Sequence, residues 1–371
     1  MKQILYISDV NASEPIFHSQ VVPHVNELRK FYDVKLLCLS RGEQYNYDYN
    51  YSSVLVDYSI WVSYVNFKRN QTKLFDYLER NNFDLIYSRG FRGGILGALT
   101  KKYFYRKKIK LVNDIRGDAL DELELLDSFF VKLIMKFVFN RTTKFIFKYS
   151  DGLHFVSSYL RNKYCSIYKY KGKTEICPTF VPDDKFKFSE TIRKEYRANL
   201  GYVVEDIVLL YSGNLAKWQN VDVILEAFEK CKDPAIKLLI ITKDVRIEEM
   251  INSNNNKENI KLFTSDYNCI QNYYFTADYG LLIRDDIDTN RCSAPTKFSE
   301  YINSGLILIS TNILSDYTDY LKSSSLSYVL INEKEELAAA MNSLTKKERN
   351  NVKVNTLSQL IDIQKLFFSQ I

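Results

Sequence analysis

The strongest constraint on the fold is a repeated alternation. A short apolar run ends in polar residues, and a segment with helical spacing follows. Gln3–Ile7 is such a run, and Val22, Val25 and Leu28 mark the inward face of a helix over 19–31. Val34–Leu39 is a second strand. Phe83–Tyr87 and then Gly93–Tyr103 repeat the pair, Lys110–Val112 adds a strand, and Asp151–Ser157 reads as a strand running into a helix start. Runs that are apolar on both faces suit buried parallel strands. Strand–helix units in series predict a parallel, doubly wound sheet.

The alternation breaks at 177–188, where two prolines and paired aspartates (Pro178, Pro182, Asp183, Asp184) mark a connection. It then restarts. Ile207–Tyr211, Lys237–Ile241, Ile260–Phe263 and Tyr279–Ile283 read as strands, and Val221–Lys230 as a helix. A chain of 371 residues suits two domains. The expected fold is α/β, with two doubly wound Rossmann-like domains facing across a cleft. The first spans 1–178, a linker 179–188, and the second 189–351. A closing helix over 352–371, with Leu357, Leu360, Ile361 and Phe367 at helical spacing, is a candidate to pack back on the first domain. Open α/β sheets bind ligands outside the carboxyl ends of their strands.

Charge is unevenly placed. Residues 1–185 hold 29 Lys/Arg and 20 Asp/Glu (net +9), and the remainder holds 22 and 25 (net −3), which sum to the chain's +6. The basic half suggests an anionic partner. No nucleic-acid recognition motif accompanies that charge, so nucleic acid is not expected. Six cysteines without paired spacing point to a reducing compartment, and three histidines without cluster spacing point to no metal site. Ser8 and Asp9 cut the first apolar run too short for a signal peptide, and no run has transmembrane length. The expected location is the cytoplasm.

One stretch carries chemistry: Asn290-Arg-Cys-Ser-Ala-Pro-Thr-Lys-Phe-Ser-Glu300-Tyr-Ile-Asn-Ser-Gly305. It reads as a loop and a short helix, followed by the strand Leu306–Ser310. Pro295 suits the first helical position and Gly305 the left-handed residue that ends the helix. The free N–H groups at such a helix start form an anion site. Arg291, Pro295, Thr296 and Lys297 surround that start, and Glu300 lies on the face of Lys297. Phosphate donors beside a carboxylate suited to ribose hydroxyls describe a nucleotide pocket. The bland alternative is a surface helix with solvated charges.

Taken in order, these pieces resemble retaining glycosyltransferases of family 4, which have the two-domain GT-B architecture. The resemblance runs through the strand and helix at 4–21, Ser88-Arg89-Gly90 and Asn113-Asp-Ile-Arg-Gly117. It continues through Ser150-Asp151 to Ser158, Leu210-Tyr-Ser-Gly213-Asn-Leu, Ala277-Asp278-Tyr-Gly280 and Pro295–Gly305. It implies that Glu300 is the second glutamate of an E-x7-E signature and holds the donor ribose. The first glutamate falls at Cys292. The family's Arg and Lys after the first strand of the second domain fall at Asn214 and Gln219, with Lys217 nearby as a substitute. Arg291, Lys297 and Lys217 are therefore the expected diphosphate ligands, beside Gly213 and Asn214.

The same resemblance implies a metal-independent, retaining transfer from a nucleotide-sugar donor, with no other cofactor. Fixed donors would stabilise the leaving diphosphate, and no protein nucleophile is identified. The base would rest near Thr264–Tyr267, including Ser265 and Tyr267, unless that segment is a plain turn. Trp218 reads as a packing residue. In the first domain Asp9, Arg89 and Asp114 are expected acceptor contacts. Arg116 and Asp118 are expected to act on the acceptor or phosphate. Structural ion pairs are the alternative for this set, and His18 and His154 read as structural. The implied acceptor is lipid-linked or an oligosaccharide of bacterial surface polysaccharide. Epimerisation of a sugar nucleotide, or silent carbohydrate binding, are the other readings.

Residues 101–149 mix aromatics with Lys101, Lys102, Lys132, Lys136, Lys144 and Lys148, and Phe129–Tyr149 has no acid. Such a mixture suits an anionic membrane surface. The lysines are read that way, with peripheral placement at the inner face of the plasma membrane, and the phenylalanines as a buried helix face.

Overall fold

The computed structural model describes residues 1–8, 10, 14, 16–40, 56–57, 72, 75–76, 78–104, 107–118 and 129–371. The chain forms two compact units, Met1–Thr179 with Leu357–Ile371, and Phe180–Thr356.

In the first unit the strands are β1 (Gln3–Ser8), β2 (Asp33–Ser40), β3 (Val56–Asp57), β4 (Leu85–Arg89), β5 (Lys110–Ile115), β6 (Gly152–Phe155) and β7 (Lys173–Ile176). Their order is β3-β2-β1-β4-β5-β6-β7, and every pairing is parallel. Ile4 pairs with Val34 on one side and Leu85 on the other. The helices are α1 (Val22–Leu28), α2 (Gly90–Tyr103), α3 (Phe129–Tyr149) and α4 (Ser158–Tyr168). The helix expected over 19–31 begins instead as a π-helical turn, Phe17–Val21, before α1. Pro23 has no N–H for a regular turn there, and the wider turn absorbs the loss.

In the second unit the strands are β8 (Ile207–Ser212), β9 (Ile236–Ile241), β10 (Ile260–Phe263), β11 (Tyr279–Leu282), β12 (Ile307–Thr311) and β13 (Tyr328–Ile331). The order β10-β9-β8-β11-β12-β13 is again all parallel. The helices are α5 (Glu190–Asn199), α6 (Val221–Glu229), α7 (Ile247–Asn252), α8 (Ile270–Thr276), α9 (Asp288–Arg291), α10 (Thr296–Asn303), α11 (Ser315–Ser323) and α12 (Leu337–Asn342). Both sheets reverse direction beside their first strand, so each has a switch point, at β1/β4 and at β8/β11. Crevices open at such points.

The second core is aliphatic. Leu209, Leu238, Ile240, Ile224 and Met341 are fully buried, with Tyr279 among them. Each such side chain contributes roughly 2 kcal/mol through burial. Arginines close the end of α8. Arg193 Nη1 donates to the carbonyls of Phe275, Thr276 and Ala277 at 2.9–3.0 Å, and its Nη2 to Asp278 at 2.6 Å. Asp278 in turn accepts from Val208 N at 2.9 Å, which locks the start of β11 beside β8.

The last helix, α13 (Leu357–Gln370), lies in the first unit. Its Phe367 and Phe368 are buried. Gln364, also fully buried, completes a polar chain: His24 Nε2 lies 2.7 Å from Gln364 Oε1, and Gln364 Nε2 donates to Tyr87 Oη at 2.9 Å. Tyr6 Oη lies 3.1 Å from His24 Nδ1. Satisfying every member is what lets such a network sit in a core.

Candidate functional site

The second unit gathers its chemistry at the carboxyl end of β8. The chain leaves β8 through Gly213, whose φ of +151° disfavours any side chain, and a Cβ there would stand 2.5 Å from Lys297 Nζ. Lys297 comes from α10. The structure places Pro295 at the cap of that helix, one residue before the first helical position expected for it, with Thr296 opening the helix. The first amides of a helix have no intrahelical acceptor. At the other end, Gly305 N donates to Ile302 O and Leu306 N to Tyr301 O, and Gly305 has φ +79°. This is a Schellman stop, as the sequence predicts.

Lys297 Nζ donates to Gln219 Oε1 at 2.6 Å and lies 4.5 Å above the Tyr211 ring. Loss of solvent around the ammonium, with Arg284 close by, pushes its pKa well below the usual lysine value, although Glu300 opposes this. Glu300 is 8% exposed. Burial raises its carboxyl above the usual range, opposed by a Tyr274 hydrogen bond and by Lys297 and Lys185. The Tyr274 hydroxyl sits between Glu300 Oε2 at 3.0 Å and Ser212 Oγ at 2.9 Å. Gly213, Lys297 and Glu300 therefore share one corner.

Two residues there escaped the sequence reading. Lys185 lies in the segment read as a linker. Its ammonium stands 3.1 Å from the centre of the Tyr267 ring and donates to the Tyr267 carbonyl. Burial lowers its pKa to about 8, against the pull of Glu300. Arg284 follows β11 and is 6% exposed. Its Nη1 donates to Trp218 O at 2.9 Å, while its buried Nε has no partner among the described residues. The only sequence signal was a charge directly after a buried strand, the place where ligands meet α/β sheets.

The other predicted donor residues lie as follows. Arg291 ends the short α9 and forks onto Asp286 at 2.5 and 2.6 Å, at an exposed position. Asn214 O accepts from the Tyr211 hydroxyl at 2.6 Å. Lys217 is exposed and starts a short 3-10 turn. Ser265 Oγ donates to Asp266 O at 3.1 Å. Burial and Glu300 raise the Tyr267 phenol, whose buried oxygen has no partner among the described residues. Cys292, at the position of the missing glutamate, is fully buried. Trp218 is 39% exposed and so does not pack as expected.

In the first unit, Arg89, Asp114 and Arg116 meet at the ends of β4 and β5. Asp114 Oδ2 lies 3.5 Å from Arg89 Nη1, and Oδ1 lies 3.4 Å from Arg116 Nη1. The two guanidiniums hold the carboxyl below its usual value despite burial. Asp118 pairs instead with Lys163 at 2.5 Å and accepts from the Tyr164 hydroxyl at 2.9 Å. His154 is fully buried against Phe367. Asp9 lies outside the described residues. Beside this cluster opens a pocket of about 690 Å³, which Arg116, Asn113 and Gly117 help to line. Among the described residues no cluster of His, Cys, Asp and Glu has the makings of a metal site.

Residues 192–359 match the model of the family described as glycosyl transferases group 1. The whole chain is similar in structure to HepE of Anabaena in complex with UDP. The TM-score is 0.74 at 11% identity, with 100% of both chains covered. It is also similar to the sucrose-phosphate synthase of Thermosynechococcus elongatus (TM-score 0.68, 14% identity, 99% of this chain and 95% of that one). WaaG, a glycosyltransferase involved in lipopolysaccharide biosynthesis, gives 0.64 at 13% identity over 91% and 89%. At these identities the likeness carries the fold, which is GT-B. No curated protein matches the sequence.

The residues that match the family model include the whole Gly213–Lys297–Glu300 corner, while Lys185 precedes them. Where the family resemblance implies a lysine at 219, this chain has Gln219, and the Lys297 ammonium is seated against it.

Proposed function

We propose that the protein is a glycosyltransferase that moves a sugar from a nucleoside-diphosphate donor to an acceptor hydroxyl. The observation that carries this reading is the half-buried Lys297 ammonium, set against Gly213 and Gln219 and near the buried Glu300. Lys297, the amides opening α10 and Arg284 bind the diphosphate. Glu300, held by Tyr274, takes the ribose hydroxyls. The base lies by Ser265 and Tyr267. HepE in complex with UDP and with UDP-glucose supports a uridine donor as the first to try.

In the reaction the bond from the anomeric carbon to the diphosphate oxygen breaks. The acceptor oxygen bonds to that carbon on the same face, and its proton passes to the departing diphosphate. Charge grows on the leaving oxygens, where a fixed ammonium and amides aimed at them lower the barrier. Fixed cations take the part a metal ion plays elsewhere. Arg89, Asp114 and Arg116 orient the acceptor in the first unit. A lipid-linked acceptor of surface-polysaccharide assembly, used at the inner face of the plasma membrane, is supported by α3. That helix exposes Phe130 (75%), Ile134 (62%) and Phe137 (61%) among its lysines. Among its described phenylalanines Phe139 and Phe147 are buried while Phe130 and Phe137 are exposed, so the phenylalanines do not form one buried face. No described helix is long and apolar enough to cross a membrane.

The test is calorimetric titration of UDP and UDP-glucose in the presence of EDTA, with UDP release followed over hours. Saturable binding that Lys297→Met weakens supports the reading. Absence of binding by any nucleoside diphosphate, or binding indifferent to Lys297→Met, ends it.

A further inference from the structure

The segment that reads as a linker forms part of the wall around Glu300. The chain turns there, with Lys185 N donating to Pro182 O at 3.4 Å. Phe186, next in the chain, is 1% exposed. Its ring stacks on that of Tyr274, with centres 5.7 Å and planes 26° apart. Tyr274 is the residue whose hydroxyl meets Glu300 Oε2 at 3.0 Å. The buried Phe186 ring therefore fixes where Lys185 stands. The half-buried Lys185 ammonium donates to the Tyr267 carbonyl and lies over the Tyr267 ring, 3.1 Å from its centre. One carbonyl and one ring face use only part of what three N–H donors can give, and neither carries a charge. The charge that acts most on this ammonium is Glu300, ahead of Cys269. The Tyr267 phenol feels the same carboxylate.

Glu300 faces the phenols Tyr274, Tyr267 and Tyr301 and two cations, Lys297 and Lys185. Burial raises its carboxyl above the usual range, and the two lysines oppose that rise. They are not equivalent once a nucleotide is bound. Lys297 then shares its charge with the diphosphate. The nucleotide also takes water away from the carboxyl, which disfavours its ionised form further. Lys185 is the cation left to offset this. The ionisation matters for recognition. A carboxylate accepts from both ribose hydroxyls through charge-assisted bonds, whereas the protonated group has lost part of that acceptor capacity.

We propose that Lys185 is a positioning residue of the donor site: from outside the residues that match the family model, it holds Glu300 as a carboxylate while the ribose is bound, and so makes the site select ribonucleotides at neutral pH. This rests on the transferase reading and adds a determinant of its donor specificity.

UDP and its 2′,3′-dideoxy form are the probes, titrated into the full chain between pH 6 and 8. The readout is the ratio of the two affinities. The terminal phosphate of both probes titrates at about pH 6, and both meet the same lysines through the same diphosphate, so these effects cancel in the ratio. The wild type is expected to hold a ratio of about tenfold across the range. The carboxylate is present above the Glu300 pKa and lost as the pH falls through it, and removing a cation raises that pKa. Lys185→Met and Lys185→Gln are therefore expected to match the wild type at pH 8 and to lose the preference roughly fivefold toward pH 6. Lys185→Arg keeps the charge and should restore the flat profile. A ratio in Lys185→Met equal to that of the wild type at every pH overturns the proposal. A ratio lowered by the same factor at every pH marks a displaced loop and overturns it as well. Absence of UDP binding to the wild type ends the transferase reading itself, whereas ribose-selective binding indifferent to Lys185 ends only this inference.

Discussion

Lys297 Nζ meets Gln219 Oε1 at 2.6 Å, and the backbone of Gly213 passes close enough beneath it that no Cβ fits. A lysine from α10 thus stands against a glutamine from the loop after β8. The amide of Gln219 positions the ammonium without neutralising it, which leaves its charge for an anion.

Removing that charge should weaken the donor more than the fold. Lys297→Met is expected to lower UDP affinity by about 2 kcal/mol, roughly thirtyfold, the worth of a charge-assisted hydrogen bond. Gly213→Ala should reproduce the loss by displacing the ammonium. Calorimetry reads both, and unchanged affinity in either variant contradicts the assignment.

Binding should also take up protons. Lys297 and Lys185 are both held below the usual lysine pKa by burial, Lys185 at about 8. A bound diphosphate favours their charged forms, so their pKa values rise on binding. The sign follows: affinity is highest below pH 8 and falls above it, by up to about tenfold per pH unit for one proton. Titrations between pH 7 and 9 in buffers of different ionisation enthalpy measure the uptake. A pH-independent affinity that persists in Lys185→Met would refute it.

Glu300 should recognise the sugar of the nucleotide. The wild type is expected to prefer UDP over its 2′,3′-dideoxy form by about 1–3 kcal/mol, and Glu300→Ala should abolish that preference. Tyr274→Phe removes the hydroxyl between Glu300 and Ser212. It should cost about 1–3 kcal/mol of stability, because a buried carboxyl loses its partner. Competition binding and thermal melts separate the two effects.

The first unit should be acid-sensitive. Burial lowers His24 to about 3 and His154 to about 4, from 6.5. Below pH 6.5 the unfolded chain takes protons that these native rings refuse. Each ring therefore subtracts on the order of 1 kcal/mol per pH unit as the pH falls toward its native pKa. Melts of the wild type should drop steeply from pH 7 to 5. Gln364→Leu, which strands His24 and Tyr87, should lower the melting temperature at every pH.

Much of this was legible in the chain. The central strands β1, β4, β8 and β11 are mostly apolar runs, as is β9 after Lys237, and burial on both faces forces such a pattern. Edge strands β3 and β7 are short and half polar, as Lys173-Thr-Glu-Ile176 illustrates, and carry no such signal, while edge strand β13 is apolar but only four residues long. Of the donor corner, Gly213, Lys297 and Glu300 stood in recognisable motifs. Lys185 and Arg284 did not, because their role depends on which loops the fold brings to α10. The partner of Arg291 was hidden for a different reason. Asp286 lies five residues upstream, and only the turn before α9 folds it back onto the guanidinium.

Gln364 bonds to a histidine 340 positions earlier in the chain. During synthesis the nascent Rossmann sheet that begins at Gln3 must wait, its His24 and Tyr87 unmatched, while all of Phe180–Thr356 is made. The later-born unit therefore has its whole sequence before the first unit does. Stalling or trimming within α13 would leave a complete second unit attached to a first unit that lacks its closing helix.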